Sequence, residues 1–205
     1  MKLIAKICGL TCAEDVRFAL EAGADLVGFV HHPPSPRHCT DILTAGAGAG
    51  DKGVLVIVGE DAAPMIEQAK AAGLRWVQPH AGAARARVAE AIREAGLRVL
   101  LPWPDEPGQE PMDADLYLWE PSPTVTGVPG GAGLGHCALY PPPGPFLLAG
   151  GLDGPTLQMR LANLPMEAKR LLRGVDAASR LEATPGRKDP IKVAAFLENA
   201  HALHL

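Results

Sequence analysis

A lysine and a thiol two residues apart, at the end of an apolar run, are the first groups in this sequence equipped for chemistry. Lys6 and Cys8 close the stretch Ile4-Ala5-Lys6-Ile7-Cys8, and side chains two apart on a strand share a face. A neighbouring cation favours the thiolate, the form that acts as base or nucleophile, over a thiol of ordinary pKa about 8.5. Gly9-Leu10-Thr11 and then Ala13-Glu14-Asp15 follow, which reads as a strand handing over to a helix. In parallel α/β barrels reactive groups gather where strands end, so Cys8 is the leading candidate for chemistry. A buried cysteine is also among the commonest core residues, and position alone leaves Cys8 open between a base and an inert core thiol.

Other candidates sit at similar places. Leu118-Trp119-Glu120-Pro121 ends an apolar run with a carboxylate, a group that desolvation turns into a general acid; a solvated glutamate before a Pro-rich loop is the plainer alternative. Pro33-Pro34-Ser35-Pro36 stiffens the approach to Arg37, whose guanidinium suits bidentate capture of a carboxylate or phosphate. The competing reading is a surface arginine after a turn. His31 and His32 lack an acidic partner at metal-ligand spacing and read as loop or pocket-lining residues. Ala149-Gly150-Gly151-Leu152-Asp153 and Gly174-Val175-Asp176-Ala177-Ala178-Ser179-Arg180 fall where a barrel's last two loops grip phosphate with backbone N–H groups. A pair of ordinary turn glycines reads equally well there.

The elements that must position these residues alternate through the chain. Strand-like runs occur at 3–8, 26–30, 53–58, 76–78, 98–101, 116–119, 146–149 and 174–177, and helical patterns at 13–21, 63–72, 84–94, 155–161 and 190–202. Near-continuous apolar strands indicate burial on both faces, the parallel-sheet pattern. The expected fold is α/β, a single compact (β/α)8 barrel domain over residues 1–205, with shortened or missing helices. Stunted helices are expected at 40–50 and 105–113, one turn at most at 130–145, and a second helix at 166–172. An open doubly wound sheet would prefer GxGxxG after the first strand, and Cys8-Gly9-Leu10-Thr11 is not that motif.

Bulk properties narrow the partners. The 205 residues carry a net charge of -4 with 47% hydrophobic content. No basic excess exists to neutralise nucleic-acid phosphates or an anionic membrane, and no apolar run reaches the roughly 20 residues of a membrane span. The start lacks a signal-peptide pattern. Cys8, Cys12, Cys39 and Cys137 show no CxxC spacing and read as reduced cytoplasmic thiols, with Cys12, Cys39 and Cys137 structural or incidental. Trp76, Trp103 and Trp119 read as strand packing, although Trp103 and Trp119 lie near enough to strand ends to line a pocket. Monomer and homodimer both remain open.

Taken together, these stretches resemble phosphoribosylanthranilate isomerase, a barrel enzyme of tryptophan biosynthesis. The resemblance is carried by Lys6-Ile7-Cys8-Gly9-Leu10-Thr11, Ala22-Gly23-Ala24-Asp25 to Gly28-Phe29-Val30, Ser35-Pro36-Arg37, Val77-Gln78-Pro79-His80, Gly130-Gly131-Ala132-Gly133, Leu148-Ala149-Gly150-Gly151-Leu152 and Pro185-Gly186-Arg187-Lys188-Asp189 to Phe196. It implies a cofactor-independent Amadori rearrangement of a small phosphorylated substrate, without metal, converting an aminoaldose into 1-(2-carboxyphenylamino)-1-deoxyribulose 5-phosphate. Cys8 matches the family's base and Glu120 stands where its acid is an aspartate. Arg37 matches the holder of the anthranilate carboxylate. Lys6, His80, Gly150, Gly151, Asp176, Ser179 and Arg180 complete the expected substrate site. The departures fall at the same rim: Glu120 for aspartate, Pro79 and Ala81 after the fourth strand, Ala178 for serine, and Arg180 for the phosphate-facing glycine. They hold open two alternatives within the family, a non-catalytic binder of an anionic small molecule and an isomerase of another phosphosugar.

Overall fold

The computed structural model describes residues 2–104, 106–120 and 140–203. Eight parallel strands pair in chain order and close into a barrel. They are β1 Ile4–Cys8, β2 Leu26–His31, β3 Gly53–Val58, β4 Trp76–His80, β5 Arg98–Pro104, β6 Leu116–Glu120, β7 Phe146–Leu148 and β8 Leu172–Ala177. The described helices are α1 Ala13–Glu21, α2 Ile42–Gly46, α3 Ala62–Ala71, α4 Arg85–Glu94, α5 Gly154–Ala162, α6 Met166–Leu171 and α7 Pro190–Ala202. No described helix is long and apolar enough to cross a membrane.

Period-two alternation divides the strands between two apolar clusters. Cys8, Leu26, Val54, Val56, Trp76, Leu100, Leu116, Leu118 and Leu147 fill the barrel interior. Their neighbours in sequence, such as Ile7, Val27, Leu55, Val77 and Phe146, face the helical shell. Burial on both faces explains why the strands read as continuous apolar runs. Closure depends on a glycine: a Cβ at Gly174 of β8 would stand 2.1 Å from the Ile4 carbonyl of β1, its partner across the seam.

The shortened elements follow expectation. α2 is a five-residue helix, and residues 106–115 contain none. β4 and β5 run past their expected ends at Gln78 and Leu101, through Pro79, Pro102 and Pro104. The expectation for 130–139, with its glycine-rich stretch, and Cys137 lie outside the described residues.

One element was not anticipated. After β8, a turn over Ser179–Leu181 leads into a small antiparallel hairpin, β9 Glu182–Thr184 and β10 Arg187–Lys188. Thr11 donates its hydroxyl to the Gly186 carbonyl at 2.7 Å. Gly186, at φ +83°, lies so close to the Pro36 carbonyl that a Cβ would approach within 2.9 Å. The hairpin is therefore clasped under the loops that follow β1 and β2. α7 begins directly after it, capped by Asp189, and buries Val193, Phe196, Leu197 and Ala200.

Candidate active site

Lys6 and Cys8 share the interior face of β1, as the spacing requires. Lys6 is fully buried, and its ammonium donates to Asp176 Oδ1 at 2.9 Å, the residue level with it on β8. Burial alone would lower the lysine's pKa, but Asp176 first and Cys8 second hold it above the ordinary value, so it stays charged. Cys8 is buried beside Gly28 of β2, where a Cβ would stand 2.8 Å from the sulfur. A glycine there makes room for the thiol.

Lys6 favours the thiolate, as the spacing suggests, but burial outweighs it. Burial raises the thiol's pKa by more than Lys6, and further off Lys188, lower it; Asp176 adds to the rise. Cys8 is therefore a thiol at neutral pH, with Lys6 and Lys188 favouring its ionisation without achieving it.

Glu120 is shifted in the same direction by the same neighbours. It ends β6 two residues after Leu118, on the interior side of the mouth and only partly exposed. Burial and the Asp176 carboxylate, opposed by Lys6, raise its pKa to about 7. Near neutrality this carboxyl keeps a protonated fraction, the form a general acid needs. One ion pair, Lys6–Asp176, thus bears on both the thiol and the acid.

On β4, Gln78 and His80 present their side chains to the same mouth. Burial, with Lys6 and His32 nearby, lowers His80 to about 4, so the ring is neutral and its Nε2 accepts from the Gln78 amide at 3.1 Å. Gln78 Oε1 is buried with no hydrogen-bond partner among the described residues. His31 reaches Gln68 at 3.3 Å and lies 5.3 Å from the His38 ring, while His32 acts on His80. Among the described residues no group of three or more His, Cys, Asp or Glu is placed to hold a metal.

Arg37 is held as expected, and by more than loop stiffness. Its Nε and Nη2 donate to the two oxygens of Glu182 at 2.7 and 2.9 Å, a bidentate pair anchored in β9. Gly150 and Gly151 adopt φ +91° and +67° after β7, conformations that glycine reaches without strain and that expose backbone N–H groups. Ser179 opens the turn after β8.

Comparison with known proteins gives this geometry a family. A sequence model described as N-(5′-phosphoribosyl)anthranilate (PRA) isomerase matches residues 5–199. The N-(5′-phosphoribosyl)anthranilate isomerase of Azorhizobium caulinodans is 34% identical over 98% of this chain and 93% of its own length. That of Paracoccus denitrificans is 35% identical over 98% and 99%. The chain belongs to the N-(5′-phosphoribosyl)anthranilate isomerase family. Among solved structures, the phosphoribosylanthranilate isomerase of Thermus thermophilus covers 100% of both chains with a TM-score of 0.77 and 26% identity.

Against that family's pattern, Arg180 is the departure with the clearest structural consequence. Its Nη1 lies 3.3 Å from Asp153 Oδ2, so an ion pair joins the loops after β7 and β8, where the sequence leads one to expect a phosphate seat. Asp153 also caps α5, accepting from Thr156 N at 2.9 Å. Trp103 and Trp119 do not line the mouth. Both are buried in the outer shell, Trp103 edge-on to Tyr117 and Trp119 edge-on to Phe146. Cys39 is buried and Cys12 half-buried, away from the interior cluster.

Sequence reasoning passed over Glu182 and Lys188, although Arg187-Lys188-Asp189 was in view. A buried lysine six residues after an acid carries no signal until a hairpin folds one onto the other.

Proposed function

We propose that this protein isomerises N-(5′-phosphoribosyl)anthranilate to 1-(2-carboxyphenylamino)-1-deoxyribulose 5-phosphate, with Glu120 as acid and Cys8 as base, and that residues 1–205 act as one barrel domain. The carrying observation is geometric: the closed barrel has Cys8 at the end of β1 and Glu120 at the end of β6 about one buried Lys6–Asp176 pair that acts on both, with the carboxyl raised to about 7 and the thiol buried.

In the reaction, the Glu120 carboxyl protonates the ribose ring oxygen. The C1′–O bond breaks and the nitrogen lone pair forms C1′=N. Cys8, as thiolate, takes the C2′ proton, and the C2′–H electron pair moves toward the iminium nitrogen to give an enolamine. Its tautomerisation places a proton on C1′ and a carbonyl at C2′. Atoms and electrons balance within the substrate, so no oxidant or reductant is consumed. Arg37 receives the anthranilate carboxylate. Gly150, Gly151, Ser179 and Arg180 form the phosphate seat, and Lys6, Asp176 and His80 line the ribose.

Loss of phosphoribosylanthranilate fluorescence on mixing with the purified protein tests the reading. Catalysed decay with a saturable rate is expected. Saturable binding without conversion would replace the isomerase with a binder of the same anion.

A further inference from the structure

Two cations share one carboxylate where the hairpin meets the barrel. Glu182 is buried, and its Oε1 and Oε2 accept from Arg37 at 2.7 and 2.9 Å. The same Oε1 accepts from Lys188 Nζ at 3.2 Å. Lys188 is itself buried, and it also donates to the Ala178 carbonyl at 3.0 Å. Its neighbour Asp15 is already engaged, accepting from the Lys188 backbone at 3.0 Å and facing Arg187 at 3.5 Å. Arg37, Lys188 and Glu182 therefore sum to one positive charge, enough for one more anionic group.

The Glu182 contacts also decide which edge of Arg37 that group meets. Nε and Nη2 are committed to Glu182, and Nη1 makes no hydrogen bond among the described residues. The arginine's stem is fixed as well, since a Cβ at Gly9 would stand 2.7 Å from Arg37 Cδ. A guanidinium gripped along one edge and confined along its stem presents its other edge in one orientation, so little rotamer freedom remains to be lost on binding.

We propose that Glu182 is a positioning residue for recognition of the substrate's aromatic carboxylate: it holds Arg37 in the orientation that meets that group. This rests on the isomerase reading above. Glu182 touches Arg37 rather than substrate, so its loss weakens selection for the carboxylate more than the rearrangement itself.

The test compares Glu182→Gln with the wild type on two substrates, phosphoribosylanthranilate and the phosphoribosyl adduct of aniline, which lacks the carboxylate. On the carboxylated substrate a rise in KM of about tenfold is expected, with kcat within about twofold; one lost charge-assisted hydrogen bond is of that size. On the aniline adduct the variant and the wild type should have the same KM. In an Arg37→Ala background, Glu182→Gln should add nothing further. Equal losses on both substrates, or additive losses with Arg37→Ala, overturn the proposal. If Glu182→Gln does not fold by circular dichroism, Glu182→Asp carries the same comparison, because it keeps the charge and shortens the reach by about 1.5 Å. A wild type that turns over neither substrate overturns the isomerase reading instead, which keeps the two failures distinguishable.

Discussion

At the scale of single residues, Cys8 and Glu120 hold their protons in the order opposite to the one the proposed chemistry uses. Glu120 titrates near about 7, below the thiol, which burial pushes up, yet the productive form has Glu120 protonated and Cys8 ionised. That form is a minority species of constant size between the two pKa values, and it shrinks on either side of them. The sign follows directly. Below about 7 the thiol holds its proton too firmly, and above the thiol's raised pKa Glu120 has lost its own. kcat/KM should climb as pH rises through about 7 and fall only in the alkaline range. A profile that falls through pH 7 from a maximum on the acid side would mean the thiol ionises first and would contradict this tuning. The types and places of these two residues were legible in the sequence, because a strand's end and its alternation are local features. Their ionisation was not: the balance of burial against Lys6 depends on how the barrel closes around the thiol, and Lys6 proved the weaker influence.

At the scale of elements, the loops after β7 and β8 and the β9–β10 hairpin build the two proposed anion seats, and they build them differently. The hairpin fixes Arg37 through Glu182. The other seat pairs the backbone of Gly150 and Gly151 with a side-chain cation, Arg180, that rests against Asp153 at 3.3 Å. A phosphate brings more charge than that single carboxylate and competes for the guanidinium. Arg180→Gly should raise KM by about tenfold, the size of a lost charge-assisted hydrogen bond, with kcat little changed in steady-state assays. A fall in KM would show that the arginine obstructs the seat. Gly150-Gly151 and the arginine could be read from sequence as landmarks of the last two loops. The partnership with Asp153, and the hairpin's grip on Arg37, join residues far apart in the chain, and no local periodicity encodes such contacts.

At the scale of the whole molecule, ring closure does the assembling. β1 meets β8 only because Gly174 leaves room for the Ile4 carbonyl, and that seam sets Lys6 level with Asp176. The ion pair then acts on Cys8 from β1 and on Glu120 from β6, so residues over a hundred positions apart become one acid–base system. The barrel itself was legible from alternating apolar runs and helical patterns, since those report burial on both strand faces. The extended ends of β4 and β5 were not, because prolines there mask strand continuation. The most direct test of the account is turnover of phosphoribosylanthranilate by Cys8→Ala, measured beside the wild type with the fold checked by circular dichroism. The account predicts a loss of at least about a thousandfold in kcat with the fold intact, on the scale expected when a required base is removed. A Cys8→Ala protein that keeps turnover within tenfold of the wild type would contradict it.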